Sequence, residues 1–174
     1  MPLYFAYGSN MDRAAMAARC PASKPLGSAR LARHRFIVTG EGYASVVRDP
    51  RRTVWGLLWD IVFADMPALD RYESVASGLY DKLHQPVLTG GGARRALIYV
   101  ARGQATGQPR AGYLEGVAAA AREASLPEDY IREIEAWSPQ VRAGERPALA
   151  KVQVRPLWWL SPLARTSPER PFTA

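Results

Sequence analysis

Tyr4-Phe5-Ala6-Tyr7-Gly8-Ser9-Asn10-Met11 is the stretch on which the reading of this chain turns. A short apolar strand runs straight into Gly-Ser-Asn, and a run of helical character from Asp12 to Arg19 follows at once. The pattern predicts a strand, a tight turn and a helix start. Such a turn aims backbone N–H groups into one small space, as an anion or oxyanion site requires. Gly8 admits a ligand close to the backbone and tolerates angles that other residues avoid. Alone, a strand–Gly–helix turn is also an ordinary αβ connection; a second stretch, Leu69-Asp70-Arg71-Tyr72-Glu73-Ser74-Val75-Ala76-Ser77-Gly78-Leu79-Tyr80, makes it specific.

Together the two stretches resemble the γ-glutamylcyclotransferase family, including its AIG2-like branch. In that family an aromatic-rich strand ends in Tyr-Gly-Ser-Asn, here Tyr7 to Asn10, and a catalytic glutamate lies in Leu-Asp-x-x-Glu ahead of Gly-x-Tyr, here Glu73 before Gly78 and Tyr80. A looser match is a Pro-x-x-x-Tyr opening the C-terminal helical part, here Pro109 to Tyr113. Val54 to Trp59 is similar to the family's strand before the catalytic segment, so the matches run in order through roughly residues 3 to 137. The resemblance implies a compact β-barrel with helices packed outside it.

It also implies a chemistry: the free α-amine of a γ-glutamyl amide attacks its own γ-carbonyl, closing 5-oxoproline and releasing an amine or amino acid. One carboxylate can act as general base and then as general acid, and ring closure needs orientation and proton transfer but no metal or redox cofactor. By the resemblance that carboxylate is Glu73. Its apolar and aromatic neighbours Leu69, Tyr72, Val75 and Leu79 predict a raised pKa. The matching substrate segment comprises Tyr4, Phe5, Ala6, Tyr7, Gly8 and Ser9, with backbone N–H groups around Tyr7, Gly8 and Ser9 holding the γ-glutamyl group and its oxyanion. Asn10 is a substrate contact or the cap of the following helix. Tyr80 and Tyr113 match family tyrosines beside the substrate, and a packed core tyrosine is the alternative for each; Arg71 is either a partner for an α-carboxylate or a solvated surface residue.

Two positions depart from the family pattern: Ser74 stands where glycine is common, and Met11 where leucine is. The first bears on the turn that delivers the carboxylate. Relatives specific for glutathione carry a Tyr-Gly-Ser variant without the Asn, which argues against glutathione as substrate. The alternative functions are a non-catalytic protein binding a small anionic metabolite on the same fold, and removal of a γ-glutamyl group from a biosynthetic intermediate.

The 174 residues, 48% apolar and 22% charged, have the composition of a single globular domain. No apolar run approaches the ~20 residues of a membrane span, no leader pattern opens the sequence, and Cys20 is the one cysteine. These features predict a cytoplasmic protein and a structural thiol. A net charge of +7 raises the question of nucleic acid, but the arginines are scattered from Arg13 to Arg170 without an aromatic-interleaved basic block. No nucleic-acid or membrane partner is expected, and a monomer or homodimer is. His34 and His84 lack Cys or His neighbours at metal-ligand spacing, and no serine-hydrolase elbow or phosphate-binding glycine motif occurs. Neither metal nor cofactor is expected.

Periodicity predicts strands at 2–7, 43–47, 53–62, 79–88 and 93–101, with residues 26–38 extended and a turn at Asp49-Pro50. Gly90-Gly91-Gly92 signals a hairpin. Helices are expected at 11–19 (Met11, Ala14, Ala15 and Ala18 inward), in a short segment capped by Asp65, at 113–124, and after a Ser125-x-x-Glu128 capping box with Tyr130, Ile131, Ile134 and Trp137 inward. Strands precede helices, the order of an α+β domain with a small barrel-like sheet. From about residue 139 the pattern loosens into an irregular extension of this single domain, with a last strand at 152–160 in which Trp158-Trp159 covers either the core or an interface.

Overall fold

The structure is a computed structural model that describes residues 2–138. Strands β1 (Leu3–Ala6), β2 (Lys24–Val38), β3 (Ala44–Asp60), β4 (Tyr80–Thr89) and β5 (Gly92–Ala101) form a closed barrel in the order β1-β3-β2-β4-β5. All pairs are antiparallel except β1 with β5, which meet in parallel at Tyr4 and Leu97. Among the described strands closure leaves no open sheet edge. Helices α1 (Arg13–Arg19), α2 (Met66–Tyr72), α3 (Tyr113–Glu123) and α4 (Glu128–Glu135) pack outside. No helix among the described residues is long and apolar enough to cross a membrane.

The core is built from alternating inward residues of the strands: Phe5, Leu31, Val54, Leu57, Val87 and Ile98 are all buried. Gly56 on β3 is required by close approach, because a Cβ there would lie 2.2 Å from the Ala6 carbonyl oxygen and 2.9 Å from the Phe5 ring. That approach seats β1 on β3 from Leu3↔Asp60 to Ala6↔Leu57 and aims the end of β1 at the turn beyond it.

Four local expectations are corrected. The segments at 43–47 and 53–62 are one strand, β3. Its register against β2 jumps from Ala32↔Thr53 to His34↔Arg48, so that residues 49–52 oppose Arg33 alone. The Asp49-Pro50 turn signal is real, since Asp49 Oδ1 accepts the Arg51 N–H at 3.0 Å, but it makes a bulge within the strand, where the missing proline N–H breaks no ladder bond.

Helix α1 begins after a 3₁₀ turn, Ser9–Met11, and its inward residues are Ala15 and Met16, with Met11 and Cys20 flanking them; Ala14 and Ala18 are exposed. Asp65 does not cap α2: its carboxylate accepts the Ala22 N–H (3.1 Å) and the Ser23 hydroxyl (2.7 Å), tying down the turn that enters β2. Ser125 forms no capping box. It is the left-handed residue (φ 53°) that ends α3, with Ser125 N–H bonded to Arg122 O and Leu126 N–H to Ala121 O, and Pro127 stands at the N-cap of α4.

The other elements follow the expected pattern. Gly90 and Gly91 join β4 to β5, and Tyr130, Ile131 and Ile134 are buried with Trp137 packed beside them. Cys20 is buried, and burial beside Asp65 pushes its thiol up to about 11, away from nucleophilic use. The expected extension from 139, its strand at 152–160 and Trp158-Trp159 lie outside the described residues.

Candidate active site

The segment 69–74 delivers Glu73 by three separate devices. Leu69 is fully buried and roots α2 in the core. Asp70 accepts the Tyr99 hydroxyl at 2.6 Å and pairs with Lys82 Nζ at 2.6 Å, pinning the helix to β5 and β4. Glu73 follows as the C-cap residue, its N–H bonded to Leu69 O at 3.0 Å.

Ser74 then reverses the chain with φ 53°, while the N–H groups of Ser74 and Val75 bond Arg71 O and Asp70 O, each at 3.1 Å. This is a left-handed helix end, the geometry glycine adopts at least cost, and serine holds it here without altering the turn. Ser74→Gly is therefore expected to raise stability by about 0.5–1 kcal/mol, read as a rise of about 2 °C in thermal midpoint. A fall in midpoint would mean that the buried serine makes a contribution larger than its backbone strain.

Glu73 reaches the Gly-Ser-Asn turn directly. Asn10 Nδ2 donates to Glu73 Oε1 at 2.6 Å and to the Tyr4 hydroxyl at 2.9 Å. Asn10 is buried, and Asp12 takes the capping role instead, its Oδ1 accepting the Ala15 N–H at 3.0 Å. The amide oxygen of Asn10 accepts from Arg19 Nη1. The Arg19 Cζ lies over the Tyr72 ring, 3.3 Å from its centre, and the Tyr72 hydroxyl bonds Ser9 Oγ at 2.9 Å.

Across the cleft two tyrosines bracket the Ala44 peptide: the Tyr80 hydroxyl donates to Ala44 O at 2.8 Å, and the Tyr113 hydroxyl accepts Ala44 N–H at 3.1 Å. The Tyr113 oxygen also lies against the Ser9 backbone N–H. Helix α3 packs on the Ser9–Met11 turn, which brings Tyr113 to Gly8. Gly8 has φ −123°, outside the left-handed region, so its use is close approach: a Cβ there would sit 3.2 Å from both Ala44 Cβ and the Tyr113 hydroxyl.

Tyr4, Tyr7, Gly8, Ser9, Asn10, Glu73, Tyr80 and Tyr113 thus line one cleft, enclosing about 510 Å³ of empty space with its open mouth included. Phe5 and Ala6 lie off it: Phe5 is buried against the Gly56 position and Ala6 within the barrel wall. Arg71 is exposed and does not line it. Tyr43, Tyr72 and Tyr99 do line it; sequence reading named Tyr72 only as an aromatic neighbour of Glu73 and missed Tyr43, Tyr99, Arg19 and Asp70 as members of the site. For Asp70 and Tyr72 a signal existed, since both lie within the Leu69–Glu73 stretch; Tyr43, Tyr99 and Arg19 are isolated residues that only the barrel brings together.

Burial pushes the Glu73 carboxyl up to about 7, against the opposing influence of the Arg19 charge, the Asn10 amide and the Tyr4 hydroxyl. Burial also raises Tyr4, Tyr7, Tyr80 and Tyr113, so these hydroxyls stay protonated. The result is a carboxyl able to take or give a proton near neutrality, at the floor of a cleft walled by hydroxyls and a backbone turn. Among the described residues no three His, Cys, Asp or Glu side chains converge as metal ligands.

Residues 53–134 match the AIG2-like family. The chain is 27% identical to human gamma-glutamylcyclotransferase over 154 residues, covering 82% of each chain, and equally so to the mouse protein of the same name. A solved structure of a gamma-glutamyl cyclotransferase superposes with a TM-score of 0.74 at 26% identity, over 83% of this chain and 92% of that one. In its barrel, in the order of the two motifs along it and in these matches, the chain is similar to AIG2-like proteins and to gamma-glutamylcyclotransferases.

Proposed function

We propose that the chain releases 5-oxoproline from a γ-glutamyl amide by intramolecular aminolysis, with Glu73 as general base and then general acid. The observation that carries this reading is the 2.6 Å bond between Asn10 and Glu73, which unites the anion-binding turn and the proton-transfer group across 63 residues of sequence. The γ-glutamyl group lies along Tyr7–Asn10, its α-amine facing Glu73. Glu73 takes a proton from the α-ammonium group, and the freed amine attacks the γ-carbonyl. The oxyanion forms against backbone N–H groups of the Gly8–Ser9 turn, as a preorganised donor set requires. When the tetrahedral intermediate collapses, Glu73 returns its proton to the leaving nitrogen. The extra proton on the new ring nitrogen passes to the departing amine, which leaves as its ammonium ion and the ring as neutral 5-oxoproline. Base and acid are the same carboxyl, used twice, which suits a pKa of about 7.

The test is 5-oxoproline release from a panel of γ-glutamyl amino acids, γ-glutamyl amines and glutathione. Release from one class names the leaving group, and glutathione is expected to be the poor member. No release from any compound by folded protein, with tight binding of intact γ-glutamyl compounds, would replace the enzyme with a binding protein.

A further inference from the structure

Arg19 does not line the cleft, yet it is joined to both halves of the proton-transfer pair. From the last turn of α1 it reaches behind Asn10 and Tyr72. Three contacts fix it: the bond from Nη1 to Asn10 Oδ1, the cation–π contact with Cζ 3.3 Å from the Tyr72 ring centre, and a weak contact to Met16 Sδ at 3.9 Å. A guanidinium has donors and no acceptor, so Asn10 can present only its oxygen to Arg19. The amide NH₂ is thereby left facing Glu73 and Tyr4.

We infer that Arg19 is the positioning residue of the site: it locks the Asn10 amide in the one orientation that binds Glu73, and holds the carboxylate ready as base. The catalytic half of this rests on the cyclotransferase reading; the positioning half stands on the contacts themselves. The groups facing Glu73 come from several elements around it. Tyr4 on β1, Tyr7 just beyond its end, Tyr72 on α2, Tyr80 on β4, Tyr99 on β5 and Tyr113 on α3 are neutral phenols, and Asp70 on α2 is an anion. Among these described neighbours Arg19 brings the positive charge, and of the influences that favour the ionised carboxylate it is the largest. The close cation–π contact with Tyr72 also suits arginine better than lysine, and the Tyr72 hydroxyl bonds Ser9 of the turn.

The experiment compares wild type with Arg19→Met and Arg19→Lys. The Glu73 carboxyl is followed by carbon-13 NMR, its resonance assigned by its loss in Glu73→Gln, alongside kcat and KM as functions of pH. In Arg19→Met the carboxyl should titrate about 1 unit higher, as expected on losing a close opposite charge, and the acid limb of kcat/KM should move with it. Turnover should fall about 10–100-fold, as when a supporting partner is removed from a functional group, with KM little changed. Arg19→Lys should keep most of the titration and still lose turnover, because it keeps the charge and loses the fork.

A Glu73 titration unmoved in Arg19→Met overturns the proposal, even if that variant is less stable. So does full turnover in either variant. If wild type shows no turnover but the titration moves, the cyclotransferase reading falls while the positioning role stands. Should Arg19→Met not fold, Arg19→Gln removes the same charge with a polar side chain and carries the same comparison.

Discussion

Glu73→Gln is expected to remove turnover while leaving the protein folded. A carboxyl that acts as base and then as acid contributes about 10²–10⁴-fold in each role, so loss of both should leave release of 5-oxoproline at or below about 10⁻³ of wild type. The substitution keeps shape and one acceptor, and Asn10 Nδ2 can still donate to the oxygen that replaces Glu73 Oε1. Stability should not suffer and should improve at alkaline pH. The folded state holds the carboxyl at about 7 against 4.5 for an ordinary glutamate. A group whose folded pKa is raised binds more protons in the native state, so its favourable contribution is complete below about pH 4.5 and is lost as pH rises through about 7. Glutamine carries no such pH dependence, so the midpoint of Glu73→Gln should equal or exceed that of wild type at pH 8. Wild-type kcat/KM should correspondingly fall below about pH 7 as the base is protonated. Substantial turnover by correctly folded Glu73→Gln protein would remove Glu73 from the mechanism.

How much of this was legible in the sequence depended on whether a residue's neighbours in the chain are also its neighbours in space. Tyr-Gly-Ser-Asn and Leu-Asp-x-x-Glu are contiguous devices, each a whole turn with its own helix, so both could be picked out in the sequence by their family resemblance. Arg19 could not: it closes an ordinary Ala-rich helix, and only the meeting of the Tyr72–Glu73 segment with the Ser9–Met11 turn brings those residues to it. Tyr43 and Tyr99 are likewise interior strand and loop aromatics until the barrel closes.

The local misreadings share a physical origin. Ser125-x-x-Glu128 has the spacing of a capping box, but the same serine can end the preceding helix in a left-handed turn, and α3 takes it first. Asp49-Pro50 signals a chain reversal, and the long pairing of β2 with β3 on both sides reduces it to a bulge. In each case the turn chemistry was right, while tertiary pairing decided what the turn connects. Ser74 shows the converse. Its departure from glycine cast doubt on the catalytic turn, but the backbone keeps the glycine-type angle with serine in place.

Gly8→Val is the second substitution expected to have a large effect, and it tests the other half of the site. The first added carbon meets Ala44 Cβ and the Tyr113 hydroxyl at 3.2 Å, tight enough that both neighbours must yield slightly. Two further methyl groups on a β-branched, rotationally stiff side chain leave no orientation clear of the cleft. On the proposed reading the γ-glutamyl group lies along this turn, which lines the same cleft as Tyr80 and Tyr113, so the methyl groups compete with it for that space.

Loss of oxyanion donors alone costs about 10²–10³ in turnover, and blocked approach should add to it as a raised KM. Overpacking should also cost about 1–3 kcal/mol of stability. The measurement therefore pairs kinetics with thermal midpoints and includes Gly8→Ala. Alanine needs a shift of only a few tenths of an ångström at the same two contacts and should lose far less activity than valine. A graded loss, small for alanine and about 10²-fold or more for valine in protein that is still folded, identifies the turn as the surface on which the substrate lies. Equal, near-wild-type turnover in both variants would mean that the γ-glutamyl group binds elsewhere. The Gly-Ser-Asn backbone would then serve only to hold Asn10 against Glu73, a structural duty that needs neither the bare Cα of Gly8 nor its closeness to Tyr113.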